Sequence, residues 1–288
     1  AVGQRFERDA GRTVMGSSAS AGAASSAGRL LCIPASHEAP SEAQHRTPPV
    51  SIRGVIPGTP PSHPLTLFSL RHLESLVLPM VLSQLPELRP GQLPALTSLA
   101  LPSSLAERWP ASWCLHLPAL RRLDLSGAAS LGRALPREFS ALRRLEFLEL
   151  RACGLEAVPA PVAALPALRR LDLGINRLAG LAPGPYLAGL EWLCLRQNPR
   201  LRALPAELAA APHLAHLDLG ECEALELGGA DVRDVLARMP ALRRLVLARA
   251  EDAADGPALG AALAELRRAA PGVAVDLRRA EGAFQTLC

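Results

Sequence analysis

The sequence predicts an α/β solenoid, in which short parallel strands alternate with return segments and stack into one curved array. Three observations predict it. The stretch 166–178, PALRRLDLGINRL, reads L-x-x-L-x-L-x-x-N-x-L, with Leu168, Leu171, Leu173, Asn176 and Leu178 filling every defined position. Aligned on this unit, the chain gives a ladder of L-x-L pairs: Leu76/Leu78, Leu99/Leu101, Leu123/Leu125, Leu148/Leu150, Leu171/Leu173, Leu193/Leu195, Leu217/Leu219 and Leu245/Leu247. Val275/Leu277 makes a ninth pair, and the successive spacings are 23, 24, 25, 23, 22, 24, 28 and 30 residues.

That pattern and that period are the signature of a leucine-rich repeat: most spacings lie within its window of roughly 20–29 residues, and all lie below the 33 or more of ankyrin and helical-pair repeats. One such unit buries an apolar edge and leaves its other face open, so it stands only beside copies of itself. The expected fold is a leucine-rich repeat solenoid of about eight to nine units over residues 66–280, a right-handed horseshoe with a parallel sheet on its concave side.

Residues 1–65 have a different character. Residues 17–28 are only Ser, Ala and Gly, and residues 48–64 are rich in Pro. Neither stretch has a periodic apolar face to offset ordering entropy, so a disordered leader is expected. Val50/Ile52 offers one further pair ahead of the ladder, though without its leucines. Residues 11–36 lack acids and also suit a transit segment or a bacterial secretion leader. The chain opens on Ala1, consistent with a processed or incomplete product.

The first units are irregular, with Trp109 and Trp113 flanking a proline, where rings are expected to fill the convex side of the core. Return segments such as ALPREFSAL and AVPAPVAALP are short and carry prolines, which limits them to extended chain or short 3₁₀ turns. Asp231 is expected to cap a helix whose Val232, Val235, Leu236 and Met239 share one face. Pro257 opens another, with Leu259, Leu263 and Leu266 on one side and Pro271-Gly272 as its stop. Residues 281–288 are left as a tail.

The position that asparagine holds in the unit is filled in turn by Ala128, Cys153, Asn176, Asn198, Cys222 and Ala250. Its side chain points into the bend, where buried backbone groups need partners. Cys153 and Cys222 therefore read as structural.

Composition narrows the function. The formal net charge is +4, too small and too mixed to argue for nucleic acid. No run approaches the ~18 apolar residues of a membrane span. All 31 basic residues are arginine, which reads either as a chain without lysine acceptors for ubiquitin or as coding bias. None of the six cysteines forms a C-x-x-C pair, favouring a reducing, intracellular compartment over a disulfide framework.

There is no phosphate loop, nucleophile elbow or zinc spacing, so neither catalysis nor a cofactor is expected. His213, His216 and Cys194 form the nearest metal grouping, short of the three or four converging ligands that zinc takes.

What remains is the strand surface. Side chains alternate along a strand, so the residues flanking the leucines form columns on the concave face. The first column reads Arg122, Phe147, Arg170, Trp192, His216, Arg244. The second reads Asp124, Glu149, Asp172, Cys194, Asp218, Val246, and the third Ser126, Arg151, Gly174, Arg196, Gly220, Ala248. Exposed rings and arginines are enriched at binding hot spots. The candidate partner-binding residues are therefore Phe147, Trp192, Arg170, Arg196, Arg151, Glu149, Asp172, His216 and Asp218. The expected partner is a protein.

The repeats LPALRRLDLSGAASLGRALP and APHLAHLDLGECEAL resemble the leucine-rich domains of type III effectors from plant-pathogenic bacteria, some of which are joined to a ubiquitin-ligase domain. They also resemble intracellular leucine-rich proteins of plants and algae. The resemblance covers roughly residues 66–278. It implies a protein-binding adaptor or an effector delivered into a host cell, or else the substrate-recognition part of a ubiquitin ligase. No ligase domain carries over, because only about ten residues follow the last repeat.

Overall fold

The computed structural model describes residues 32–34, 50–53, 71–78, 85–101, 103–106, 109–131, 135–247 and 257–277. Most of the expected leader, the 281–288 tail and Ala250 lie outside them.

One eleven-stranded sheet runs in sequence order. Its strands are β1 (Cys32–Pro34), β2 (Val50–Arg53), β3 (Leu73–Val77), β4 (Ser98–Ala100), β5 (Arg122–Asp124) and β6 (Phe147–Glu149). They continue with β7 (Arg170–Asp172), β8 (Trp192–Cys194), β9 (His216–Asp218), β10 (Arg244–Val246) and β11 (Ala274–Asp276). From β3 onward every pairing is parallel, and the leucine ladder is its register: Leu76 pairs Leu99, then Leu123, Leu148, Leu171, Leu193, Leu217, Leu245 and Val275. The fold is a leucine-rich repeat solenoid.

The sheet begins earlier than the repeats do. β2 pairs parallel with β3, with a register shift between Val50 and Ser51, and β1 pairs antiparallel with β2. Two short pieces of the expected leader thus carry strand backbone. An unpaired edge would expose the N–H and C=O groups of β3, and the upstream chain supplies them with a partner.

Beneath the sheet the leucines form one continuous core, with Leu168, Leu171, Leu173 and Leu178 fully buried. The return segments are as short as their prolines dictate. Arg137–Ala141 and Ala206–Ala210 are 3₁₀ turns, while Ala160–Ala163 and Tyr186–Gly189 are single helical turns, preceded by Pro136, Pro205, Pro159 and Pro185. Each inserts an apolar side chain, namely Phe139, Leu208, Val162 and Tyr186. The expected convex-side rings are in place: Trp109 and Trp113 are buried edge-to-face at 5.8 Å, and Trp113 donates its indole N–H to the carbonyl of Pro86 at 2.8 Å.

The last units carry longer helices. Pro257–Ala269 buries Leu263 and Leu266 and half-buries Leu259, as its pattern predicts. The other helix spans Gly229–Asp234, followed by a 3₁₀ turn at Leu236–Arg238. Val232, Val235, Leu236 and Met239 are all buried, but Asp231 is not the N-cap. It lies within the first turn and accepts the N–H of Gly228 at 2.8 Å. Two glycines start the helix upstream, and the carboxylate bonds back to the cap from inside it.

Strands β5 to β9 each end in a left-handed bend. Gly127, Ala152, Ile175, Gln197 and Glu221 have φ between 53° and 81°, and each directly precedes an asparagine-position residue. Only Gly127 adopts that conformation freely. Ile175 is the costliest, because a β-branched side chain at φ 56° crowds its own backbone. It is 36% exposed, so little burial is lost on replacing it. Ile175→Asn is expected to raise stability by about 1 kcal/mol, read as a higher urea midpoint at unchanged slope.

Candidate functional site

The strand face opposite the core collects the side chains that the leucine ladder turns away from it. Along the first column, neighbouring strands bring Arg122, Phe147, Arg170, Trp192, His216 and Arg244 into one row, each paired in register with the next. The three arginines are exposed and the three rings half-buried.

This row is stacked. The Arg122 guanidinium lies over the Phe147 ring at 4.7 Å, and the Arg170 guanidinium lies over the Trp192 ring at the same distance. On its other side Trp192 stacks on His216, with ring centroids 5.5 Å apart and planes 13° from parallel. A cation over a ring face is held by the ring quadrupole, and it shields the ring without neutralising its own charge. Burial, and then the Arg244 charge, push the His216 pKa below its ordinary value, with Asp218 opposing them. That shift favours the uncharged imidazole, the form that stacks without a charge of its own.

The second column departs from the sequence expectation. Asp172 and Asp218 are only 3% and 8% exposed, so they are not offered to a partner. Asp172 accepts the N–H of Gly174 through Oδ1 at 2.8 Å, and Asp218 accepts that of Gly220 at 2.8 Å. Asp124 does the same with Ser126 at 2.9 Å. These aspartates close the end of the strand by bonding the backbone two residues on. Gly174 fits closely beside Asp172: a Cβ there would lie 3.0 Å from that Oδ1, so the carboxylate would have to give way slightly.

Burial raises the Asp172 pKa, and the Gly174 N–H and the Arg151 charge pull it back. Cys194 is buried too, but beside the Asp172 carboxylate rather than in the leucine core. Glu149 remains exposed, with its pKa raised by partial burial and by the charges of Asp124 and Asp172.

In the third column Arg151 stands 3.8 Å from Asp172, and Arg196 is paired with Glu221, which also accepts from the Gln197 amide at 2.6 Å. The row immediately before the first column is self-paired, Arg121 with Glu146 and Arg169 with Glu191. Structure therefore brings Phe147, Arg170, Trp192 and His216 together and keeps Glu149, Arg151 and Arg196 beside them. Two features escaped the sequence reading: Arg122 as the cover of Phe147, and Glu221 as the partner of Arg196. The D-x-G and D-x-S repeats were the sequence signal for the strand-end aspartates.

The asparagine positions hold the bends together. Asn176 donates from Nδ2 to the carbonyls of Leu150 (2.8 Å) and Leu173 (2.9 Å), and its Oδ1 accepts the N–H groups of Cys153 and Leu155, both at 3.0 Å. Asn198 donates to Leu195 and Leu173 and accepts from Leu178. Cys222 donates its thiol to the carbonyl of Leu195 at 3.2 Å, and Cys153 its own to those of Arg151 and Leu125. Burial pushes both thiols up to about 11, which fits structural rather than reactive cysteines.

Among the described residues no group of three His, Cys, Asp or Glu could hold a metal ion, and no helix is long and apolar enough to cross a membrane. His213 is exposed in the chain leading into β9, and Cys194 is buried in the sheet.

Comparison with protein-family models and with curated proteins finds no match. Solved structures similar to this chain include a leucine-rich repeat protein of Leptospira interrogans, 22% identical, matching 74% of this chain and 63% of its own, with a TM-score of 0.45. A chain of the mouse RP105/MD-1 complex is 20% identical over 74% of this chain and 39% of its own, with a TM-score of 0.48. A chain of the Drosophila Toll–Spatzle complex is 16% identical over 64% of this chain and 30% of its own, with a TM-score of 0.39. The chain spans less than two thirds of the length of each. The strand ladder and the leucine core beneath it are those of a leucine-rich repeat solenoid.

Proposed function

We propose that the chain is a protein-binding module without catalysis of its own, and that it takes its partner on the open face of the sheet. One observation carries this reading: half-buried Phe147, Trp192 and His216 share a single row with exposed arginines. Four of the chain's nine aromatic residues, Trp109, Trp113, Phe139 and Tyr186, fill the core. The rings of the row leave part of their apolar surface in water, where a partner gains by covering it. The form proposed is an adaptor or effector that captures a cellular protein. It would work in a reducing compartment, a reading supported by Cys114, Cys153 and Cys222, which are buried as thiols.

The test is capture from a cell lysate by the wild-type chain and by Trp192→Ala and Phe147→Ala, with circular dichroism as a check on folding. Trp192→Ala is expected to weaken capture about thirty-fold, as for a truncated hot spot of about 2 kcal/mol. Arg137→Ala, on a return segment with its side chain 94% exposed, should leave capture unchanged. Folded ring variants that retain every partner would move the binding surface off this face.

A further inference from the structure

The arginines of the strand face are held in two ways, in ion pairs or on ring faces, and the difference indicates what the face takes. Arg196 is paired with Glu221, Arg244 with Asp276 at 3.1 Å, and Arg151 with Asp172 at 3.8 Å. The strand-end aspartates are committed to backbone N–H groups. Arg122 and Arg170 are different. Both are exposed, and each rests on a ring face at 4.7 Å without a carboxylate in salt-bridge range among the described residues. A guanidinium lying on a ring is already held in one place while keeping its edge donors free for a carboxylate fork.

Resting on the reading that this face binds a protein, we propose that it takes an acidic helical segment of the partner, laid across the strands. Two carboxylates of that segment meet Arg122 and Arg170, and its apolar side chains cover Phe147 and Trp192. Spacing selects the helix. Arg122 on β5 and Arg170 on β7 are two strands apart, or about 10 Å at ~4.8 Å per strand. Seven residues of helix rise about 10.5 Å and return to the same face, whereas extended chain covers that span in about three residues. An odd number of residues leaves the two side chains of extended chain on opposite sides.

In a helix the apolar residue falls between the acids, at i+3 or i+4 and again at i+11, in step with Phe147 and Trp192 on the intervening and following strands. Glu149, exposed one column away on β6, repels an acidic segment that drifts toward the second column. It thereby confines the carboxylates to the arginine row.

The experiment uses the full chain and two labelled synthetic helical peptides of equal length, read by fluorescence anisotropy. One carries Glu at i and i+7 with Leu at i+4 and i+11; the other has Lys in place of both Glu. The acidic peptide is expected to bind about tenfold more tightly or better, with an affinity that falls as salt rises. The double variant Arg122→Gln, Arg170→Gln should remove that preference and flatten the salt dependence, while circular dichroism remains that of wild type.

Equal binding of the two peptides, no binding of the acidic one, or an unchanged acidic preference in the folded arginine variant would overturn the proposal. The same peptides tested against Trp192→Ala separate the two readings. If that variant weakens both peptides alike and the arginine variant changes neither, the binding face stands and the acidic partner falls.

Discussion

Leu171→Ala should destabilise the chain by about 2–5 kcal/mol, the range for emptying a leucine site in a packed core. Leu171 is wholly buried at the centre of the ladder, in register between Leu148 and Leu193. The cavity cannot close easily, because the strands on both sides are fixed by their own parallel pairing. A solenoid unit contacts only its neighbours, so the loss should spread along the array rather than remain in β7. Amide exchange should report it as lost protection in β6 and β8 together with β7. Arg177→Ala, an exposed change in the same unit, should stay within about 0.5 kcal/mol of wild type. An array whose exchange is unchanged outside β7 would mean that the units are not coupled as the shared core implies.

The strand ladder was legible in the sequence because a half-buried strand has a period of two, and leucine fills the inward positions in every unit. The return segments were legible for a related reason, since proline before a short apolar run leaves room for little more than one turn. The N-terminal edge was legible only as the Val50/Ile52 pair ahead of the ladder. Val50–Arg53 lacks the leucines of the repeat, and its pairing with β3 answers the needs of an edge rather than a pattern in its own residues. Asp231 failed for a narrower reason. An acid ahead of an apolar run reads as a cap, but Gly228 and Gly229 let the helix begin upstream, leaving the acid to bond back to the cap.

At the site, parity alone told which side chains leave the core. It placed Phe147, Arg170, Trp192 and His216 in one row, as they are. Parity does not tell what covers a residue once it has turned outward, so Asp172 and Asp218 were taken as open when they are spent on Gly174 and Gly220. That much lay in the D-x-G spacing, a local bond readable from sequence. The guanidinium groups over Phe147 and Trp192 were not readable, because they depend on the conformation of long side chains on adjacent strands.

Asn176→Ala is expected to cost about 3–5 kcal/mol without removing any apolar contact of the ladder. The residue is 3% exposed, and its amide serves two neighbouring units at once. Its loss leaves the N–H groups of Cys153 and Leu155 without their acceptor and the carbonyls of Leu150 and Leu173 without their donor. A buried backbone group left unsatisfied costs about 1–3 kcal/mol, and water entering the gap can recover only part of that.

Asn176→Cys should fall between alanine and wild type. At the equivalent position Cys222 still donates to a carbonyl through its thiol, but sulfur is a poor acceptor for the two N–H groups that Oδ1 holds. Urea unfolding of the three chains should therefore rank them Asn, Cys, Ala in falling midpoint. An alanine variant within about 0.5 kcal/mol of wild type would mean that the bend finds its partners elsewhere. The same bend in the Ala128 unit, where the native chain already carries alanine with a glycine at the left-handed position before it, is the internal reference.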